Sequence, residues 1–399
     1  MKICYIFDDS YISQFLTVTN SIIANEKEEL SNTIEFYIAY FGSKETVATI
    51  INLTKKHFPN NKFHLKHIPS EFPELEIKYN RKYDFKKSAA HIQTSSVLCR
   101  FDLDEIFPDV NERILYLDLD IVVKHSVSEL FNSLQGSSIF YACEHRSLGN
   151  EIQCVNFNEE INPQHVQNFI CGVQHGYTRY IEKTVNNQAI LQNILATNYD
   201  FNRPSFNAGV FVLDLKMYRE NKYFKEFASF LMEINRHERI LRHNDQSILN
   251  IIFYNYYQPI DPKWNATDYG WYNRTQEKSV QERFETSYLI HFCGPEKPWS
   301  PSFADSPLLD IVVDQGGPLL LMHEFYTVNK LDNHFNEIEY AAKHPETKSF
   351  YDGCFKFGFT NKHRLYYHYC LYGNAPTKKY IEYFRKGIQL WKQYEIKEG

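Results

Sequence analysis

Arg113-Ile114-Leu115-Tyr116-Leu117-Asp118-Leu119-Asp120-Ile121-Val122-Val123 reads as one buried strand whose apolar run is interrupted only by two carboxylates. An ionised carboxylate in apolar surroundings is costly unless it is paired or coordinates a metal. Residues two apart in an extended chain point to the same face, so Asp118 and Asp120 can converge while Leu119 packs the other way. Two hard oxygen donors at one point suit Mg²⁺ or Mn²⁺, ions that bridge carboxylates to the phosphates of a bound substrate. Asp-x-Asp by itself is more often a turn at a strand end. The metal reading therefore depends on what the rest of the chain supplies.

Working outward from this strand, the hydrophobic pattern alternates between periods of two and 3.6. Lys2 to Phe7 predicts a strand ending in Asp8-Asp9-Ser10-Tyr11, and Ile12 to Asn25 a helix. Ile34 to Phe41 and Lys62 to Ile68 predict two more strands, with a helix over Lys44 to His57 between them. Ser88 to Phe107 reads as a helix carrying Arg100, Val127 to Leu134 as a short helix, and Ser138 to Cys143 as a strand. This alternation predicts an α/β fold with a mainly parallel, Rossmann-like central sheet flanked by helices, in which ligands gather at the carboxyl ends of strands. Asp8 and Asp9 fall at such an end.

Downstream, residues 145–204 form a long polar connection with a helix expected over Ile181 to Thr197. This length reads either as an acceptor-side lid or as a passive insertion. Ser205-Phe206-Asn207-Ala208-Gly209 then leads into a strand through Leu215; Ala208 and Gly209 permit close approach, and Asn207 offers both a donor and an acceptor. Met217 to Arg236 predicts an amphipathic helix, and Asn244-Asp245-Gln246-Ser247 opens another through Tyr254. Trp264, Asn265 and Trp271 could stack a sugar ring or merely fill a corner. Tyr288 to Ile290 predicts a strand delivering His291, with Gly294 and Lys297 just beyond: an imidazole ligand, a close-approach glycine and a point charge for phosphate.

Composition bounds the class. The chain has 399 residues, of which 43% are hydrophobic, 23% charged and 16% aromatic, enough for one large domain and an appendage. A formal net charge of -6 argues against a general nucleic-acid binder. The eight cysteines are scattered without a Cys-x-x-Cys pair, which reads as reduced thiols in a cytoplasmic protein. The acidic start contains no signal-type apolar region, and no window approaches a spanning helix. After Trp299 the alternation fades; residues 301–399 read as a small, mainly helical appendage with helices over Phe335 to Lys343 and Tyr380 to Tyr394. Its basic and aromatic residues, including Lys378, Lys379, Arg385, Lys386 and Lys392, suit either a solvated face or peripheral contact with an anionic bilayer.

Taken in order, Asp8-Asp9, Arg100, Leu117-Asp118-Leu119-Asp120, Phe206-Asn207-Ala208-Gly209-Val210, Asp245-Gln246 and His291-Phe292-Cys293-Gly294-Pro295-Glu296-Lys297-Pro298-Trp299 closely resemble glycosyltransferase family 8, across roughly the first three quarters of the chain. That family includes bacterial lipooligosaccharide galactosyl- and glucosyltransferases and glycogenin. The resemblance implies a GT-A catalytic domain over residues 1–300, a UDP-hexose donor, a glycan acceptor, Mn²⁺ with Mg²⁺ as a substitute, and transfer with retention. It implies Asp118, Asp120 and His291 as metal ligands. Asp8, Asp9, Ser10 and Tyr11 would sit against the uridine and Gly294 and Lys297 on the diphosphate. Arg100, Asn207, Ala208 and Asp245 would hold the donor, Leu119 would line its site, and Gln246 would lie beneath the anomeric carbon. Ser10 departs from the Asn of some relatives, and the 145–204 connection is longer than in compact members. A nucleotide-sugar hydrolase and a non-catalytic carbohydrate binder on the same fold are the competing readings.

Overall fold

The computed structural model describes residues 1–68, 95–148, 197, 199–200, 202–238, 245–267, 282–283, 286–293, 297 and 337–343. Its strands are β1 (Lys2–Phe7), β2 (Glu35–Tyr40), β3 (Lys62–His67), β4 (Arg113–Leu117), β5 (Ile121–Val123), β6 (Phe140–Ser147), β7 (Pro204–Asp214), β8 (Tyr257–Ile260), β9 (Ala266–Thr267) and β10 (Leu289–His291). Seven of them form one sheet in the order β3-β2-β1-β4-β7-β6-β8, and the other three a small sheet in the order β5-β10-β9. β3, β2, β1 and β4 run parallel; β7 is antiparallel to both β4 and β6, and β8 is parallel to β6. The main sheet is thus mostly parallel, as the strand–helix alternation predicted.

The helices are α1 (Ile12–Ala24), α2 (Glu28–Ser31), α3 (Lys44–His57), α4 (Leu103–Ile106), α5 (Val127–Ser133), α6 (Leu215–Glu220), α7 (Lys222–Glu238), α8 (Asp245–Ile252) and α9 (Glu337–Lys343). α3 spans the residues expected of it because both ends are marked: the Ser43 hydroxyl accepts from Thr46 N at 3.3 Å, and Lys55, Lys56 and His57 meet the negative end of its dipole. Strand alternation divides the core in two. Ile3, Tyr5, Phe7, Leu115, Leu117, Val210 and Val212 belong to one buried cluster; Cys4, Ile114, Tyr116, Phe206, Phe211 and Leu213 belong to the other.

Three expectations are corrected. The stretch 113–123 is two strands in two different sheets, β4 and β5, with Asp118 and Asp120 in the break between them. Asp118 N still donates to Gly209 O of β7 (2.8 Å), whereas Asp120 O accepts from Phe292 N beside β10 (2.8 Å), so neighbouring residues follow different partners. The single helix expected over 88–107 is, in its described part, a 3₁₀ segment (Ser95–Asp102) followed by α4. The Phe101 carbonyl is taken by the Tyr218 hydroxyl at 3.0 Å, and Asp102 leaves helical geometry at φ -116°. Met217 to Arg236 is broken at Asn221, whose φ of -109° and ψ of 84° are non-helical and whose side chain accepts from Tyr223 N at 3.3 Å. β8 and β9 were not anticipated. Most of 145–204, Trp271, Tyr380 to Tyr394 and, α9 apart, the 301–399 appendage lie outside the described residues. Among the described residues no helix is long and apolar enough to cross a membrane.

Candidate active site

The site lies where β4, β7 and the small sheet meet. The end of β4 projects Tyr116 and Asp118 to one face, and β10 carries His291 to the opposite wall through its pairing with β5, His291 against Ile121. Between them β7 bulges: Phe211 is opposite Ala142 of β6 and Phe206 opposite Glu144, so five steps on β7 match two on β6. Bulges of this kind re-aim side chains beside active sites, and here the residues between the two registered pairs are Asn207, Ala208, Gly209 and Val210. Asn250 secures the bulge from α8. Its side-chain oxygen accepts from Phe206 N and its amide donates to Phe206 O, both at 2.8 Å, as a neighbouring strand would.

One oxygen of Asp118, one of Asp120 and a ring nitrogen of His291 lie within 4.8 Å of one another. His291 Nε2 is 3.2 Å from Asp120 Oδ1 and 4.0 Å from Asp118 Oδ2. His291 is 1% exposed, and its Nδ1 is 2.8 Å from Asn265 Oδ1. Asp120 Oδ1 is buried with no hydrogen-bond donor, while Oδ2 accepts from Lys297 Nζ at 2.6 Å. Lys297 also donates to the Phe292 carbonyl. Burial alone would raise the Asp120 carboxyl; the charge of Lys297 above all, with the contact to His291, outweighs it and holds the group well below the usual carboxylate range.

Arg100, 8% exposed, ties this pair to Tyr116, Ala208 and Asp245. Its Nη2 donates to Asp118 Oδ1 (2.5 Å), its Nη1 to Asp245 Oδ2 (2.6 Å) and Ala208 O (3.2 Å), and its Nε to the Tyr116 hydroxyl (3.1 Å). Tyr116 in turn donates to Asp118 Oδ1 at 2.8 Å and stacks on Phe211. Asp245 opens α8 and is pushed up to about 6 by burial, with Arg100 opposing and Asp118 adding to the rise. Among the described residues three carboxylates thus face two cations, Arg100 and Lys297. That deficit, the orphaned Asp120 oxygen and the facing imidazole nitrogen all fit a divalent cation among Asp118, Asp120 and His291.

Gly209 explains why a glycine is needed here. A Cβ on it would stand 2.7 Å from Asp118 Oδ2 and 2.9 Å from His291 Nε2. The Gln246 carbonyl oxygen accepts from Asn207 Nδ2 (3.0 Å) and from Ala208 N (2.9 Å), which places Asn207, Ala208 and Gln246 in one unit.

At the end of β1, Asp9 accepts from the Tyr40 hydroxyl and from Ser43 N at 3.0 Å, contacts that hold its carboxyl below its ordinary value against the effect of burial. Its carboxylate is engaged with the turn after β2. Tyr11 is 38% exposed; partial burial and the nearby charge of Asp120, opposed by Lys297, raise its phenol, as expected at the edge of the acidic pair. Asp8 stands beside it; Ser10 lies in the 3₁₀ turn Asp9–Tyr11, and its side chain, like Gly294, is outside the described residues. Leu119 is buried, 5% exposed, in the hydrophobic cluster. Trp264 fills a corner, 3% exposed, against Tyr288 and His125.

The sequence reading missed Tyr116, Asn250 and the position of Asn265. Tyr116 is two residues before Asp118 and Asn250 four after Gln246, so strand and helix periodicity put each beside a residue already singled out. Asn265 had only its polarity inside an aromatic segment to mark it.

An α/β sheet with an acidic pair at the break of its central strand, facing a histidine from a second small sheet, is the GT-A fold of nucleotide-sugar transferases. The galactosyltransferase LgtC, solved with donor and acceptor sugar analogues, superposes with a TM-score of 0.51 at 19% identity, covering 79% of this chain and 95% of that one. The family model described as Glycosyl transferase family 8 matches residues 2–302. The chain belongs to glycosyltransferase family 8. General stress protein A of Bacillus subtilis (strain 168) is 22% identical over 307 residues, 75% of this chain and 87% of the relative. Lipopolysaccharide 1,3-galactosyltransferase of Salmonella typhimurium is 24% identical over 251 residues, 63% of this chain and 62% of that enzyme.

Proposed function

We propose that the protein transfers a hexose, galactose or glucose, from its UDP conjugate to a glycan acceptor with retention of anomeric configuration, using Mn²⁺ or in its place Mg²⁺. The observation that carries this reading is the meeting of Asp118, Asp120 and His291 within 4.8 Å, beside the Arg100–Asp245 ion pair. The ion, when bound, offsets negative charge developing on the UDP leaving group. Lys297 adds a second cation on the same side. Asp8, Asp9, Ser10 and Tyr11 are assigned to the nucleoside and Gly294 to the diphosphate, on the family resemblance. Arg100, Asn207, Ala208 and Asp245 orient the donor, and Leu119 packs behind it.

Retention requires either a covalent sugar–enzyme intermediate or attack from the face the phosphate leaves. Gln246 supports the second route: its side-chain oxygen already accepts two hydrogen bonds, and an amide is a weak nucleophile. The acceptor hydroxyl then attacks the anomeric carbon as the bond to the UDP oxygen breaks, and that oxygen takes the hydroxyl proton. Trapping a sugar on any side chain would exclude this route.

A bacterial surface glycan is the proposed acceptor, in keeping with the Salmonella relative's name, and a glycoprotein glycan is the second choice. The buried thiols Cys4, Cys99 and Cys143 support a reducing, cytoplasmic setting. Residues 145–204 are proposed to cover the acceptor side, and residues 301–399 to touch the inner membrane face. Incubating the protein with UDP-galactose, UDP-glucose and Mn²⁺, with and without glycan acceptors, tests the whole reading by UDP release. Acceptor-stimulated release is expected. Release that no acceptor accelerates would mean a hydrolase, and none with any donor or acceptor a binder.

A further inference from the structure

Backbone groups fix the orientation of three amides, the buried Asn207 and Asn265 and the half-buried Gln246, that run from the metal side to the sugar side. Gly209 N can only donate, and it lies 2.9 Å from one side-chain atom of Asn207, which must therefore be the oxygen. Ala208 N can only donate, so the Gln246 atom 2.9 Å away is also an oxygen. Asn207 then points its amide at Gln246 (3.0 Å) and its oxygen at Asn265, whose facing atom at 3.0 Å must be the nitrogen. The other end of the Asn265 amide is its oxygen, 2.8 Å from His291 Nδ1, so Nδ1 carries a proton. In the neutral ring Nε2 is therefore a lone pair, aimed at Asp120 Oδ1 3.2 Å away. Two acceptors at that separation need a cation between them. Asn265 is 0% exposed, so bulk water cannot substitute for it.

We propose that Asn265 is a positioning residue: it holds His291 in the Nδ1–H tautomer with Nε2 open to the metal, and through Asn207 it aligns Gln246. The proposal rests on the divalent-metal reading of the site. Replacing the amide by a hydrocarbon in Asn265→Leu leaves the imidazole proton without its acceptor. The proton then favours Nε2, where Asp120 accepts it, and the lone pair that faces the metal is lost. Asn265→Asp keeps an acceptor for Nδ1–H but cannot donate to Asn207, so it separates the two ends of the chain of bonds.

The test uses the full 399-residue chain, free of metal, with ¹⁵N-labelled histidine; His291→Asn identifies the His291 signals among the 16 histidines. The wild type is expected to show Nδ1–H at His291 and Asn265→Leu to show Nε2–H. Mn²⁺ alone, followed by electron paramagnetic resonance, should bind Asn265→Leu roughly ten- to hundredfold more weakly than wild type. Asn265→Asp should bind Mn²⁺ at least as tightly as wild type while releasing UDP from UDP-galactose and UDP-glucose about tenfold more slowly at saturating Mn²⁺. Loss of Mn²⁺ binding in Asn265→Asp, or an unchanged tautomer and affinity in Asn265→Leu, overturns the proposal. Should Asn265→Leu fail to fold, the Asn265→Asp split and the wild-type tautomer decide it. A wild type that binds no Mn²⁺ removes the metal reading itself, and its flat titration tells that failure from the first.

Discussion

Gly209 shows how a single hydrogen atom in place of a methyl group can leave room for the proposed metal site. In Gly209→Ala the new carbon would press on both the Asp118 and His291 ligand atoms. Mn²⁺ affinity and UDP release should each fall about a hundredfold, while thermal unfolding shifts by no more than overpacking costs, about 1–3 kcal/mol. Binding measured beside a melting curve separates the two effects. Tyr116→Phe is milder at the site and comparable for the fold, since it removes the hydroxyl shared by Arg100 and Asp118. A loss of about 1–3 kcal/mol in urea unfolding is expected. Residues such as Asp118, Asp120 and His291 were legible because a charged or ligating group in an apolar run is anomalous. Tyr116, Asn250 and Asn265 were not, because a buried tyrosine or asparagine looks like ordinary packing until its hydrogen-bond partners are known.

At the scale of elements, local signals sufficed where both ends of a segment were marked, as in α3 with its Ser43 cap and basic last turn. They failed where a partner from elsewhere set the boundary. β4 and β5 separate because Gly209 claims one backbone and Phe292 the next, a choice made by residues far away in sequence. The antiparallel course of β7 was hidden likewise, since an apolar strand carries no mark of direction. Another long-range device is Glu26, whose carboxylate accepts from Ser128 N (3.0 Å) and from the Ser126 and Ser128 hydroxyls (2.6 and 2.9 Å) at the start of α5. Burial acts to raise its carboxyl, but these donors lower it below 4.5. Its folded-state value is depressed, so the stabilisation is present above the unfolded value and is lost as pH falls through the folded one. Glu26→Ala should cost about 1–2 kcal/mol at pH 7, a gap that narrows in acid unfolding curves as pH drops below 4.5.

For the molecule as a whole, three carboxylates at the site outnumber the two cations that the described residues place beside them, so a divalent ion bound there should stabilise the folded state. Mn²⁺ at 100 times its dissociation constant should raise unfolding stability by about 2.7 kcal/mol, and chelation should reverse the gain. Calorimetry with Mn²⁺ and then EDTA measures it; no change would mean the ion does not bind the folded chain. At the start of β2, between the starts of β1 and β3, Glu35 is 29% exposed and gathers Lys2, Lys62 and His64. Burial opposes ionisation there, yet Tyr37, His64 and the lysines hold the carboxyl at about 2 against an ordinary 4.5. The sign is again that of a depressed acid, stabilising above 4.5 and losing that effect toward 2. With solvent screening, Glu35→Gln should lose about 1 kcal/mol at neutral pH and leave UDP release unchanged.

The strand order also carries a consequence for synthesis. All seven strands of the large sheet have been made once Ile260 leaves the ribosome, 31 positions before His291. A nascent chain halted there would already carry Asp118 at the end of the central strand, yet would lack the imidazole of the proposed metal site. The sheet that carries the site is thus complete in sequence before the last of its three candidate metal ligands.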